Sequence, residues 1–100
     1  MFIRIGDVEF AKNDQAQYVV TTYAGGSIGM RARVQSGEDL KQSEEKLYKL
    51  REGRTQEIEI LTAEGTTIKG QYKINELNWK KEKKDDGQYE LVFNIGLQKQ

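Results

Sequence analysis

The feature that most restricts this chain is its last run. There, Tyr89, Leu91, Phe93, Ile95 and Leu97 alternate without a break against Gln88, Glu90, Val92, Asn94, Gly96 and Gln98. A period of two puts every second side chain on one side of an extended backbone, so the run predicts a half-buried strand. A lone strand or hairpin is not stable in water. This one therefore demands partner strands and a second layer over its apolar side.

The rest of the chain supplies candidates for those partners. Phe2, Ile3, Ile5, Val8 and Phe10 surround Gly6-Asp7, a pattern of two short extended pieces meeting at a turn, or of one strand bulged at the glycine. Lys12-Asn13-Asp14-Gln15 reads as a polar loop. Residues 17–23 are rich in Tyr, Val and Thr; Ile28, Met30, Ala32 and Val34 then recur at period two with Arg31 and Arg33 opposite. The Gly25-Gly26 pair between these runs predicts a hairpin. Over 56–62, Ile58 and Ile60 alternate with Glu57 and Glu59, and residues 63–66 turn the chain back. Ile68, Tyr72 and Ile74 share one parity while Leu77 and Trp79 take the other, which predicts a bulge or slip near Asn75-Glu76. Residues 80–87 read as a charged loop.

One segment has a helical pattern instead. Leu47 and Leu50 lie three apart and Leu40 one heptad before Leu47, a single apolar stripe on a charged helix. The helix covers at least ten residues within Ser43–Glu52, an earlier start at Glu38 being the alternative, and Ser36-Gly37-Glu38-Asp39 is the loop-to-helix entry. Ser43 is a candidate cap, Glu44 and Glu45 suit the first turn, Lys49 and Arg51 the last, and Gly53 is the expected stop. The predicted order is β, β, β, α, β, β, β over a single domain, residues 1–100. Its class is α+β, a mainly antiparallel β-sandwich or small open barrel of about six strands with one flanking helix.

Composition bounds the function. A chain of 100 residues has no room for a second core and buries only about 60–65% of the surface its unfolded form exposes. At 36% hydrophobic, 32% charged and a mean hydropathy of −0.80, its core is thin, and assembly would add stability. Sixteen basic and sixteen acidic residues cancel, which removes a generic attraction to nucleic acid or an anionic membrane. With no cysteine there are no disulfides or thiolate metal sites, and with no histidine the commonest neutral-pH acid–base group is missing. Residues 1–7 lack the basic region and apolar run of a signal peptide, and no apolar stretch is long enough for a bilayer-spanning helix. Cytoplasmic synthesis without a membrane partner is the expectation.

Few residues suggest chemistry. Gly25-Gly26-Ser27-Ile28-Gly29 is not followed by the Lys-Ser/Thr pair of a phosphate loop, so it reads as a hairpin turn. Glu57 with Glu59, and Asp85 with Asp86, are carboxylate pairs of the kind that hydrolyse glycosides. That chemistry needs a cleft deep enough to space them and shift one pKa; a solvated strand face and a turn are the plainer readings. No catalytic residue, cofactor or metal ligand is expected. Trp79 with Lys80, Lys81, Lys83 and Lys84 forms a candidate hairpin-tip contact for single-stranded nucleic acid, although Glu82, Asp85 and Asp86 offset most of the charge.

From Ser43 onward the elements follow a familiar order. A helix with Leu47 and Leu50 ends near Gly53, and a strand leads to Glu64-Gly65-Thr66. Then come Gly70-Gln71-Tyr72-Lys73-Ile74-Asn75-Glu76-Leu77, a charged turn with Gly87, and Phe93-Asn94-Ile95-Gly96-Leu97. This succession, about residues 43–98, is similar to the carboxy-terminal part of the U-type tail proteins of contractile-tailed phages. It also resembles the small baseplate and tube-initiation domains of phage tails and phage-like particles. Their pattern is a Gly-x-Tyr-x-Ile stretch, a polar turn containing Gly, and a Phe-x-Ile/Leu-x-Leu strand. The first half departs from it, being shorter than usual and lacking a Pro-rich or aromatic-rich segment.

The resemblance implies a tail-tube-like fold without catalytic residues, synthesised in the bacterial cytoplasm and built into a virion or phage-like particle. Its partners would be copies of itself in a ring and neighbouring tail tube, hub or baseplate proteins. The hairpin around Gly25-Gly26 is apolar on both faces, more than one small core needs, so either the helix covers the surplus or a neighbour does. Tyr18, Val20, Tyr23, Ile28, Met30 and Val92 are therefore candidate assembly residues. The alternative function is a monomeric small-barrel binding module, for single-stranded nucleic acid at Trp79 and its lysines.

Overall fold

A computed structural model describes residues 2–11, 16–35 and 38–100. In chain order they form β1 (Phe2–Ile5), β2 (Val8–Ala11), β3 (Ala16–Tyr23), β4 (Ser27–Gln35), α1 (Glu38–Lys49), β5 (Thr55–Leu61), β6 (Thr67–Lys83) and β7 (Tyr89–Lys99). The strands make one open antiparallel sheet of seven, in the order β2-β1-β5-β6-β7-β4-β3. The fold is mainly β with one flanking helix, as the patterning predicts. There are seven strands and not six because Gly6-Asp7 makes a turn, not a bulge, and Ile5 pairs with Val8 across it. The polar segment 12–15 and the helix approach at 36–37 lie outside the described residues.

β7 is the organising strand. Its alternation buries Leu91, Phe93, Ile95 and Leu97 on one face, opposite Val34, Ala32, Met30 and Ile28 of β4. On its other side the same residues face Lys81, Trp79, Leu77 and Ile74 of β6. The β6 register slips between Ile74 and Glu76, so Asn75 is the extra residue of a bulge where the parity of the sequence breaks. Without the bulge, Leu77 and Trp79 would face away from the core. The backbone around Ile74 is tied on its other side: its amide donates to the Arg54 carbonyl at 3.0 Å and its carbonyl accepts from the Gly53 amide at 2.6 Å.

The sheet is strongly rolled. In sheet order, β1, β5 and β6 lie between β2 and β7, so a flat sheet would hold β2 and β7 about 19 Å apart at 4.8 Å per strand. Yet the rings of Phe10 on β2 and Phe93 on β7 have centroids 5.4 Å apart. The inner faces thus close on each other, and α1 seals the opening by packing on β2, β4 and β7. One rolled sheet plus one helix does the work of a two-layer core.

The helix buries Leu40, Ser43 and Leu47 at spacings of three and four, with Leu50 just beyond its end. Ser43 therefore does not cap the helix, which already begins at Glu38; it lies in the buried stripe, where a small side chain lets the helix approach the sheet. The stop also comes earlier than Gly53. The Arg51 guanidinium donates to the carbonyls of Tyr48 (2.5 Å) and Leu50 (2.9 Å), satisfying the end of the helix directly after Lys49. The segment 80–87 is likewise not all loop. β6 runs on to Lys83, and the turn occupies only Lys84-Asp85-Asp86-Gly87, closed by hydrogen bonds from Gly87 to Lys84 (3.0 Å) and from Lys84 to Gln88 (2.7 Å).

Candidate functional site

One end of the sheet is the β3 edge. β3 ends the sheet and pairs only with β4, from Ala16–Val34 to Tyr23–Ser27. Its eight residues, Ala-Gln-Tyr-Val-Val-Thr-Thr-Tyr, carry no charge, proline or glycine, and its register with β4 shows no bulge. Charge, proline and bulges are among the devices by which proteins protect an open edge, and none of these three occurs within β3. On the face away from the helix, Val19 is 60% exposed and Tyr23 59%. The opposite edge is different: β2 has four residues, carries Glu9, and has Phe10 covered by the Lys46 ammonium 5.7 Å from its ring centroid.

The six candidate assembly residues do not form one patch. Tyr18 and Val20 lie on the inner face, half-buried against the core, with Tyr18 edge-on to Phe93 at 6.4 Å. Ile28 and Met30 belong to the core outright, at 3% and 2% exposure, because β4 is covered on both sides by β3 and β7 and roofed by α1. They cannot present themselves to a neighbour. Val92 is half-buried on the outer face between Arg33 and Lys80. Of the six only Tyr23 is exposed, and Val19, which shares its parity on β3, is exposed beside it.

Two glycines shape the outer face in a way that sequence reasoning missed. Gly29 and Gly96 stand opposite each other on β4 and β7, in a row completed by Thr21 and Glu76. They leave a gap in the side-chain layer that becomes an open trough of about 520 Å³. The Tyr23 ring leans over Gly29 from one end, 3.3 Å from where a Cβ would sit, and the bulged Asn75 covers Gly96 from the other. Below the gap a polar ladder crosses three strands. Arg31 donates to Asn94 (3.2 Å), Asn94 to Asn78 (3.1 Å) and Asn78 to Glu76 (3.4 Å). Each glycine occupies a solvent-facing slot between two apolar residues, a signal that becomes readable only when the strand pairing is known.

Three of the four hairpin lysines are engaged within the molecule. Lys80 pairs with Glu82 at 2.7 Å, Lys81 reaches Glu44 on the helix at 3.3 Å, and Lys84 lies 3.8 Å from Glu90. Glu90, nearly buried at the base of the arm, also meets Arg33 at 3.4 Å. Among the described residues, Lys83 makes no ion pair. Trp79 packs edge-on against Tyr48 of α1 at 5.2 Å and faces inward beside Phe93. The arm is thus braced against the helix through a half-buried Trp79, while Tyr89 nearer its tip stays exposed.

Glu59, Glu82 and Asp86 hold structural partners. The hydrogen bond from Lys69, at 3.0 Å, keeps the Glu59 carboxyl below the usual range, with further help from the charges of Lys69 and Arg4. Hydrogen bonding from Lys80 acts on Glu82 in the same direction. A general acid needs its pKa raised, the opposite direction. Asp86 accepts a hydrogen bond from the Gln88 amide at 2.9 Å and so belongs to the turn. No family model, curated protein or solved structure matches this chain.

Proposed function

We propose that this chain is a non-enzymatic structural subunit of a contractile tail of a phage or phage-like particle. It would sit in the baseplate or tube-proximal region and assemble there as a ring. The observation that carries the assembly part is the β3 edge: an uncharged strand of eight residues at the end of the sheet. A long edge of this kind in a thin-cored subunit gains stability when another strand covers it. The tail assignment rests on the resemblance of the second half, whose Gly70-x-Tyr72-x-Ile74 and Phe93-x-Ile95-x-Leu97 stretches fall on the two central strands β6 and β7. The protein would be made in the bacterial cytoplasm and then join copies of itself and neighbouring tube, hub or baseplate proteins.

Light scattering on a sizing column, negative-stain images and pull-down with tail-tube and hub proteins test this reading. Rings, or stable capture by those proteins, are the expected result. A protein that forms no rings and binds none of them contradicts it. The nucleic-acid alternative predicts quenching of Trp79 by a single-stranded oligonucleotide at low salt; the ion-paired lysines and inward tryptophan lead us to expect none.

A further inference from the structure

We propose that Asp86, at the tip of the β6–β7 arm, is a site of slow covalent modification: the Gly87 amide nitrogen attacks its carboxyl, the residue becomes isoaspartate, and the hairpin tip opens. The inference does not depend on the tail reading. The reaction needs an unhindered amide after the aspartate, a carboxyl held beside that amide, and freedom for local motion. Of the five aspartates only Asp86 precedes glycine. Asp7, Asp14, Asp39 and Asp85 precede Val8, Gln15, Leu40 and Asp86, whose side chains crowd the attacking nitrogen. No asparagine precedes glycine either.

The turn supplies the other two requirements. The Gly87 amide donates to the Lys84 carbonyl at 3.0 Å and the Lys84 amide to the Gln88 carbonyl at 2.7 Å. Gly87 has a φ of +85°, the left-handed place in a three-residue hairpin loop. The Asp86 carboxylate accepts from the Gln88 amide at 2.9 Å, which folds the side chain along its own main chain toward the peptide group holding the Gly87 nitrogen. Apart from chain neighbours, no atom lies within 4 Å of where a Gly87 Cβ would sit, and residues 81–89 are all exposed. The obstacle is the bond from the Gly87 amide to Lys84. Breaking it opens the tip and leaves the core intact, so it costs only a small part of the global unfolding free energy.

The chemistry balances with water alone. The Gly87 nitrogen bonds to Asp86 Cγ, and one carboxyl oxygen leaves as water with the amide proton and a proton from solvent, giving a succinimide. Water then adds to the Asp86 main-chain carbonyl carbon and the bond from that carbon to the Gly87 nitrogen breaks. The nitrogen regains a proton, the second proton returns to solvent, and the old carbonyl carbon becomes the free carboxylate. Cβ and Cγ now carry the main chain, which is longer by one atom, so both turn hydrogen bonds lose their geometry. Lys84, 3.8 Å from Glu90, is released with them, while the nearly buried Glu90 keeps Arg33 at 3.4 Å. Fraying runs from the tip to Glu90 and stops there.

Ageing the folded full chain at physiological temperature and pH tests the proposal. The tryptic peptide that begins at Asp85 should split into two chromatographic peaks of equal mass, and electron-transfer fragmentation should place isoaspartate at residue 86. The other aspartates should convert severalfold less. Amide resonances of residues 82–89 should move in the aged protein while those of Phe93 and Ile95 stay. Asp86→Glu keeps the charge but needs a larger ring for the same attack, so its peptide should remain a single peak. The rate should be flat in urea below the unfolding transition, because only the tip opens. Four results each overturn the inference: no second peak in the parent, a second peak that persists in Asp86→Glu, equal conversion at other aspartates, or a rate that climbs with urea in step with global unfolding. An isomer whose tip resonances do not move would likewise refute the opening of the hairpin.

Discussion

Gly29 and Gly96 are paired across β4 and β7, yet replacing each with alanine should give different results. Neither has a positive φ, so the backbone carries no penalty and only the space around the new methyl group matters. At Gly96 a Cβ would lie 2.5 Å from Asn75 Oδ1 and 3.0 Å from Glu76 Cβ. The Asn75 tip can swing aside. Glu76 Cβ cannot, because it is fixed to the backbone just past the bulge and opposite Gly96 itself. Relief requires the strands to part there, an overpacking cost of about 1–3 kcal/mol. The reduced freedom of the unfolded chain returns about 0.4–1 kcal/mol. The difference spans about 0–2.6 kcal/mol, so Gly96→Ala should destabilise by about 1 kcal/mol, a fall in Tm of roughly 4–8 °C for a domain of this size. At Gly29 the nearest atom is Cε2 of the exposed Tyr23 ring at 3.3 Å, which can tilt outward, so Gly29→Ala should stay within about 0.5 kcal/mol of the parent or stabilise it slightly. Urea and thermal unfolding followed by circular dichroism measure both. Equal losses at the two sites, or a neutral Gly96→Ala, would refute the close approach of the bulge to β7.

Leu47→Ala removes a fully buried anchor of the helix and should cost about 2–5 kcal/mol in urea unfolding, against a few tenths for a change at exposed Lys49. Tyr48→Ala takes away the ring packed edge-on against Trp79, so emission from this sole tryptophan should shift to longer wavelength while the fold persists. Lys69→Ala should raise the Glu59 pKa toward its ordinary value, read by carboxyl NMR titration. Because pairing depresses the folded-state pKa, its contribution is present above the ordinary Glu pKa and is lost as pH falls through the depressed one. Glu59 is solvent-screened, so the stability effect should be slight.

Much of the fold was legible because side-chain parity reports directly which face a strand buries. β7 and β4 alternate cleanly, and the parity break at Asn75 located the bulge before any pairing was known. The helix stripe was visible from Leu40, Leu47 and Leu50, but its ends were not. Ser43 has the chemistry of a cap and the position of a core residue, and only the packing of α1 on the sheet decides between them. The arm was misread as a loop because Lys80–Lys83 hold their strand through pairing with β7 and ion pairs to Glu44 and Glu82, not through apolar alternation. The surface was harder to read. Ile28 and Met30 have the same sequence signature whether a helix or a neighbour covers them, and here α1 and the rolled sheet do so. The Gly29–Gly96 trough depends on strand order, which alternation alone does not reveal.

The proposed role of this chain is to join other chains through an exposed strand edge. Sedimentation velocity of the pure protein over a wide concentration range, with negative-stain images of the same samples, tests that claim most directly. Species heavier than the 11.5 kDa chain should grow with concentration and be lost when residues 19 and 21 carry like charges. A single 11.5 kDa species at every concentration, with no assembled particles, would contradict it.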